Sequence, residues 1–289
     1  MRISWASAFV VGVLVVLAGA LPTWATTVDV IVAIDESGSM SGEHAWIGPM
    51  ITSLDAKLTA LGYTGRYGLV GFAGMQVAHP DTGHQHNVGG GQMGTAAQFS
   101  AATSSLVAYG GTEDGYDATH FALGYTMDPG AAVNVILITD EERDVVTASL
   151  NYTNVLAELN AQKALLNVVV DSRYRDSLSR TALGVDSDGN AYIADGLGGY
   201  TKGTGGVAYN GYYTTIPDYV NMALATGAAA WDIQQLRLGG ATADSFTQAF
   251  VDIKVHEIEQ QIVPEPLTLL GVLAGIGGAG AYIRRRIRA

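Results

Sequence analysis

Val28-Asp29-Val30-Ile31-Val32-Ala33-Ile34-Asp35-Glu36-Ser37-Gly38-Ser39 is a largely β-branched, apolar run that leads into Asp-x-Ser-x-Ser, one carboxylate and two hydroxyls at alternate positions. Residues of this kind suit a parallel strand covered on both faces. Asp35, Ser37 and Ser39 alternate, so an extended loop would turn all three oxygens to one side. They are hard donors of the kind Mg²⁺ prefers.

Two later segments carry the same chemistry. Gly110-Gly111-Thr112 precedes a helix-like stretch, and Val133–Asp140 is a second apolar run, ending in Thr139-Asp140. In open α/β sheets ligands bind beyond the carboxyl ends of the strands, where the strand order switches. The chain here resembles the von Willebrand factor type A domain, whose metal-ion-dependent adhesion site combines Asp-x-Ser-x-Ser with a distant Thr and a distant Asp. The resemblance implies Asp35, Ser37, Ser39, Thr112 and Asp140 as the site, a bound Mg²⁺ (or Ca²⁺ or Mn²⁺), and a partner that offers a carboxylate. The third loop departs from the family's common Thr-Asp-Gly, reading Thr139-Asp140-Glu141-Glu142-Arg143-Asp144. The added carboxylates either tighten cation binding or repel an acidic partner.

Both ends read as targeting segments. Met1–Ala25 has a basic Arg2, an apolar stretch from Ala6 to Leu21 and Thr23-Trp24-Ala25 before a polar start. This is the pattern of a secretory signal peptide cleaved after Ala25, the alternative being an uncleaved anchor. At the other end, Val263-Pro264-Glu265-Pro266 abuts an apolar run over 267–283, followed by Arg284-Arg285-Arg286-Ile287-Arg288. Such a run spans roughly 25 Å as a helix, enough for a thin bilayer, with the arginines left on the cytoplasmic side. The tail resembles a PEP-CTERM sorting signal, processed by exosortase in Gram-negative bacteria that make exopolysaccharide. A plain C-terminal anchor obeys the same physics.

The stretch between these ends, about 238 residues, is long enough for one sizeable core. The whole chain carries 15 basic and 27 acidic residues; with Arg2, Glu265 and the four terminal arginines set aside, 10 and 26 remain, a net of −16. That excess argues against nucleic acid and anionic membrane surfaces as partners and suits divalent cations. The chain has no cysteine, so no disulfide supports it outside the cell.

Periodicity predicts a helix over 42–62 stopped by Gly62, a strand over 66–73, helices over 96–107 and 116–127, a helix over 152–163 and a strand over 165–171. A helix over 218–226, a strand over 229–238 and a helix over 244–260 follow. Alternating buried strands and amphipathic helices imply a doubly wound, mostly parallel sheet with helices on both faces. Residues 172–215 break the pattern and read as an insertion. Within it Asp186-Ser187-Asp188-Gly189-Asn190 is a hairpin turn, since an EF-hand loop would need its glycine later and a Glu at the twelfth position. Gly196–Tyr213, rich in glycine and tyrosine, reads as a mobile surface loop, the alternative being an aromatic platform for sugar rings.

His79, His84 and His86 raise the question of zinc. Their place in a glycine-rich connection, with no evident fourth ligand, favours solvated loop histidines. Gly89-x-Gly91-x-x-Gly94 follows no strand and is set aside as a dinucleotide site. No Gly-x-Ser-x-Gly elbow occurs. The expectation is an exported binding protein of the cell surface or extracellular matrix that engages a protein or glycan through a metal site. A structural matrix protein with a purely structural metal is the alternative. A metal-dependent hydrolase of exopolysaccharide, with Glu141 or Glu142 as base, is the third reading.

Overall fold

The computed structural model describes residues 27–262. The signal-peptide, sorting-signal and membrane-span readings of 1–25 and 263–289 lie outside the described residues. Among those described, no helix is long and apolar enough to cross a membrane.

Strand β1 (Thr27–Asp35) lies inside the sheet, with strands on both sides. It pairs in parallel with β2 (Thr64–Phe72) on one side and β5 (Ala132–Ile138) on the other. Beyond β5 come β6 (Leu165–Val170) and β13 (Ala229–Asp232), also parallel. The chain therefore runs one way from β1 to β2 and the other way through β5, β6 and β13. That places the topological switch point between β1 and β5, the position where such sheets open a crevice at their carboxyl ends.

Alternation along β1 divides the core. Val28, Val30, Val32 and Ile34 face α1 (Ser41–Ala60), α2 (Ala96–Ala102) and α7 (Gly240–Ile262). Ile31 and Ala33 face α3 (Gly115–Leu123), α4 (Tyr152–Ala161) and α5 (Asn221–Ala225). Both faces are dry, which explains why the strand is apolar at nearly every position. Helix α1 ends as the sequence predicts. Gly62 takes φ +85°, and Tyr63 N–H closes back onto Leu58 C=O at 3.0 Å, a left-handed cap that favours glycine.

Three expectations need correction. First, 79–94 is not a plain connection: it contributes β3 (His84–His86) and β4 (Met93–Gly94), both antiparallel to β2. Second, Gly196–Tyr213 is not a loose loop. β9 (Gly184–Asp186), β10 (Asn190–Ala194) and β11 (Tyr200–Thr204) extend the central sheet antiparallel from β13, and the expected turn at 186–190 joins β9 to β10. β12 (Val207–Gly211) pairs with β7 (Ser172–Arg175), which pairs with β8 (Thr181–Ala182). Order in this region comes from ladder hydrogen bonds and aromatic packing, not from periodic apolar burial. Tyr192 stacks on Trp231 with centroids 5.5 Å apart, and Tyr200 meets Tyr192 edge-on at 5.8 Å. Third, the last strand ends at Asp232, six residues early. The Asp232 carboxylate accepts from Gln234 N–H at 2.9 Å and starts α6 (Ile233–Arg237).

Candidate metal centre

Register fixes the site. Ile34 is level with Ile138, so Asp35 at the end of β1 meets the Thr139-Asp140 turn just beyond β5. Asp35 is fully buried and Ser37 nearly so, whereas Gly38 and Ser39 are exposed. A continuous set of hydrogen bonds links them. Asp35 Oδ1 accepts from the backbone N–H of Ser37 at 2.6 Å, and the Ser37 and Ser39 hydroxyls are 3.1 Å apart. Ser39 Oγ donates to Asp140 Oδ1 at 2.9 Å, while Thr139 Oγ1 donates to Asp35 Oδ2 at 2.8 Å. Four of the five residues implied by the resemblance are thus joined, directly or through Thr139.

Thr112 is half-buried, and among the described residues its side chain makes no hydrogen bond to this group. The next residue enters instead. Glu113 lies 3.2 Å from Thr139 Oγ1, and one oxygen each from Asp35, Glu113 and Asp140 fall within 4.8 Å of one another. Asp114 is taken up elsewhere: it caps α3 through Tyr116 N–H and Asp117 N–H and pairs with Arg143 at 2.6 Å. Arg143 lies 4.3 Å over the Tyr116 ring. The extended acidic loop therefore folds its one cation, Arg143, away from the Asp35–Asp140 cluster.

Crowded carboxylates in a dry site resist ionisation. Burial raises Asp35, against hydrogen bonds that favour its charged form. Burial raises Glu113 as well, and the neighbouring Asp35 adds to the shift. Glu141 is raised by burial and by Asp140 and Glu142, and Glu142 Oε2 is buried without a hydrogen-bond partner. One cation at the surface, Arg237, partly relieves this. Arg237 Nη2 lies 2.9 Å from Asp140 Oδ2, and its Nε lies 2.8 Å from Glu43. An all-oxygen donor set with excess buried negative charge fits a hard divalent ion such as Mg²⁺ or Ca²⁺.

The histidines contradict the solvated-loop expectation. His79, His84 and His86 converge on the buried Glu36 carboxylate at 3.1, 2.7 and 3.3 Å. Burial alone would raise Glu36, but His84, His86 and the N–H of Val107 outweigh it and hold the carboxyl well below its usual range. Sequence reasoning missed Glu36, Glu113 and Arg237. Glu36 and Glu113 each sit beside a residue already singled out, and the His-x-His spacing is itself a strand signal, with both rings on one face. Nothing local marks Arg237, which reaches Asp140 across 97 residues of chain.

No family model matches the chain, and no curated protein does. Among solved structures the chain is similar to proximal thread matrix protein 1 from the mussel byssus (crystal form 2), at 11% identity and a TM-score of 0.44. The likeness covers 78% of this chain and 46% of that one, so the chain spans under half of that protein's length.

Proposed function

We propose that this chain is an exported binding protein of the von Willebrand factor type A kind that holds a divalent cation at the β1/β5 switch point. The observation that carries the reading is the hydrogen-bonded set Asp35, Ser37, Ser39 and Asp140, buried at its base and open to solvent at Ser39. The hydroxyls of Ser37 and Ser39 would supply neutral oxygens, and Asp35 and Asp140 would balance the ion's charge. Glu113 adds a third carboxylate, while Thr112 stays assigned by the resemblance alone. A coordination position on the Ser39 side would remain for a partner's carboxylate, from a protein or an acidic glycan. Export through the N-terminal segment and exosortase processing of the tail would place the protein at the cell surface or in the extracellular matrix. The role is binding, not turnover.

A purely structural ion is the second reading, favoured by the full burial of Asp35 and by Arg237 at Asp140. Capture on immobilised uronate-bearing polysaccharide and on a carboxylated peptide surface, in Mg²⁺ and in chelator, separates the two. Mg²⁺-dependent capture that disappears in Asp35→Ala supports adhesion. Thermal stabilisation by Mg²⁺ without capture on either surface would favour the structural ion.

A further inference from the structure

Glu36 is the second residue of the Asp-Glu-Ser-Gly-Ser turn, and it points away from the ion site just described. Its backbone is held on both sides: its N–H donates to Phe72 C=O at 2.8 Å, and its C=O accepts from Tyr109 N–H at 2.8 Å. Its carboxylate lies over β2 with Nδ1 of His79, Nε2 of His84 and Nε2 of His86, all ligand atoms within 4.8 Å of one another. The three ring centroids form a triangle with every side 5.3 Å.

The strand register builds this arrangement. His84 and His86 are two apart on β3, opposite Gly71 and Leu69 of β2. A Cβ at Gly71 would stand 2.3 Å from Glu36 Oε2, 2.6 Å from His86 Nε2 and 2.7 Å from His84 Nε2. The space above Gly71 is therefore the point on which the ligand atoms converge, and only glycine leaves it free.

Proton placement points the same way. His84 Nδ1 lies 3.0 Å from the carbonyl of Thr82, which can only accept, so Nδ1 carries the hydrogen. His86 Nδ1 lies 2.6 Å from Ser105 Oγ, whose own proton goes to Ala102 C=O at 2.7 Å, so Nδ1 again donates. In the neutral rings both Nε2 atoms then present lone pairs to a carboxylate. His84 Nε2 and His86 Nε2 are buried without a hydrogen-bond partner despite their nearness to Glu36. Lone pairs facing a carboxylate repel unless a positive charge lies between them, which either a second ring proton or a metal ion supplies. Donation of the far ring nitrogen to a carbonyl or hydroxyl is how metal-bound histidines are oriented.

We propose that Glu36, His79, His84 and His86 form a second metal centre, selective for a borderline transition metal of the zinc class and distinct from the all-oxygen site beside it. Three imidazoles and one carboxylate complete a closed four-coordinate set, the signature of a structural ion. Hard ions such as Mg²⁺ would not choose imidazole. The ion would tie the 73–83 loop and edge strand β3 to the turn that carries Asp35, Ser37 and Ser39. In a chain without cysteine it would provide the cross-link that disulfides give other exported domains.

The test uses the full chain, stripped with chelator and titrated with Zn²⁺ and with Co²⁺ as a spectroscopic probe. One equivalent of Zn²⁺ per chain, a rise in melting temperature and a tetrahedral Co²⁺ visible band are expected. Ser105→Ala, which leaves all four ligands in place, should weaken Zn²⁺ binding about 10- to 100-fold. His84→Gln and Gly71→Ala should abolish the band. Asp35→Ala and the exposed His120→Gln should keep it, which separates this site from the one assigned to adhesion. Absence of the Co²⁺ band in the wild type, or its persistence in His84→Gln, would overturn the assignment.

Discussion

Chelated protein is expected to lose stability as pH rises through the neutral range, by up to about 1.4 kcal/mol per pH unit for each proton the folded state retains. The cause is the buried pair Asp35 and Glu113. Burial first, and then the neighbouring Asp35, push Glu113 from 4.5 up to about 10. Between those values the folded chain holds a proton that the unfolded chain has released. The stabilising contribution is complete below pH 4.5 and is lost progressively as pH rises through that window. Saturating Mg²⁺ replaces the proton with a permanent countercharge, so the slope should flatten and stability at pH 8 should rise most. Urea unfolding at pH 5, 6, 7 and 8, with chelator and with Mg²⁺, measures both curves. A chelated protein equally stable at pH 5 and pH 8 would show that the carboxylates ionise freely and need no cation.

Glu257→Ala should destabilise the fold by about 3–5 kcal/mol, independently of any metal. Lys254 and Glu257 lie on α7 and are buried to 1% and 5% exposure, with Nζ and Oε2 3.2 Å apart. Asn167 on β6 donates to both Glu257 oxygens at 3.2 and 3.0 Å. Burial lowers Lys254 and raises Glu257, so each depends on the other to stay charged. Removing the carboxylate leaves the Lys254 ammonium without a partner between α7 and the sheet, and leaves the Asn167 amide only its 3.3 Å bond to Ala229 C=O. Lys254→Met combined with Glu257→Leu should recover much of the loss, since apolar replacement of a whole buried pair is often neutral. A shift below about 1 kcal/mol in the single variant would mean that the pair is already neutral in the fold.

The parallel core was legible because its strands are covered on both faces. Val28–Ile34 and Val133–Ile138 need no partner to be recognised as buried strands, and Gly62 marks the end of α1 by its own backbone freedom. The edges were not legible. His84–His86 becomes a strand only because β2 offers an open edge, and Tyr200–Thr204 only because β10 does; neither segment carries a strong apolar alternation. The candidate ion site was legible to the same extent. Asp35, Ser37 and Ser39 share one turn, and Asp140 lies two residues beyond a recognisable strand. Glu113 reaches Thr139 Oγ1 because the chain enters α3 directly after it, with Asp114 as the cap, and no residue pattern marks that contact. Arg237 and the histidine cluster depend on register between segments distant in sequence, which residue type alone does not encode.

The proposed function places a divalent ion among Asp35, Ser37, Ser39 and Asp140. Calorimetric titration of Mg²⁺ into chelator-stripped protein at neutral pH, on the wild type and on Asp35→Ala, Asp140→Ala, Glu142→Ala and His84→Gln, tests it most directly. Saturable binding is expected in the wild type, with proton release as Glu113 ionises and a melting temperature that climbs with Mg²⁺ by mass action. Asp35→Ala and Asp140→Ala should abolish both signals, Glu142→Ala should only weaken them, and His84→Gln should leave them unchanged. An undiminished Mg²⁺ response in Asp35→Ala would contradict the site and the adhesion reading built on it.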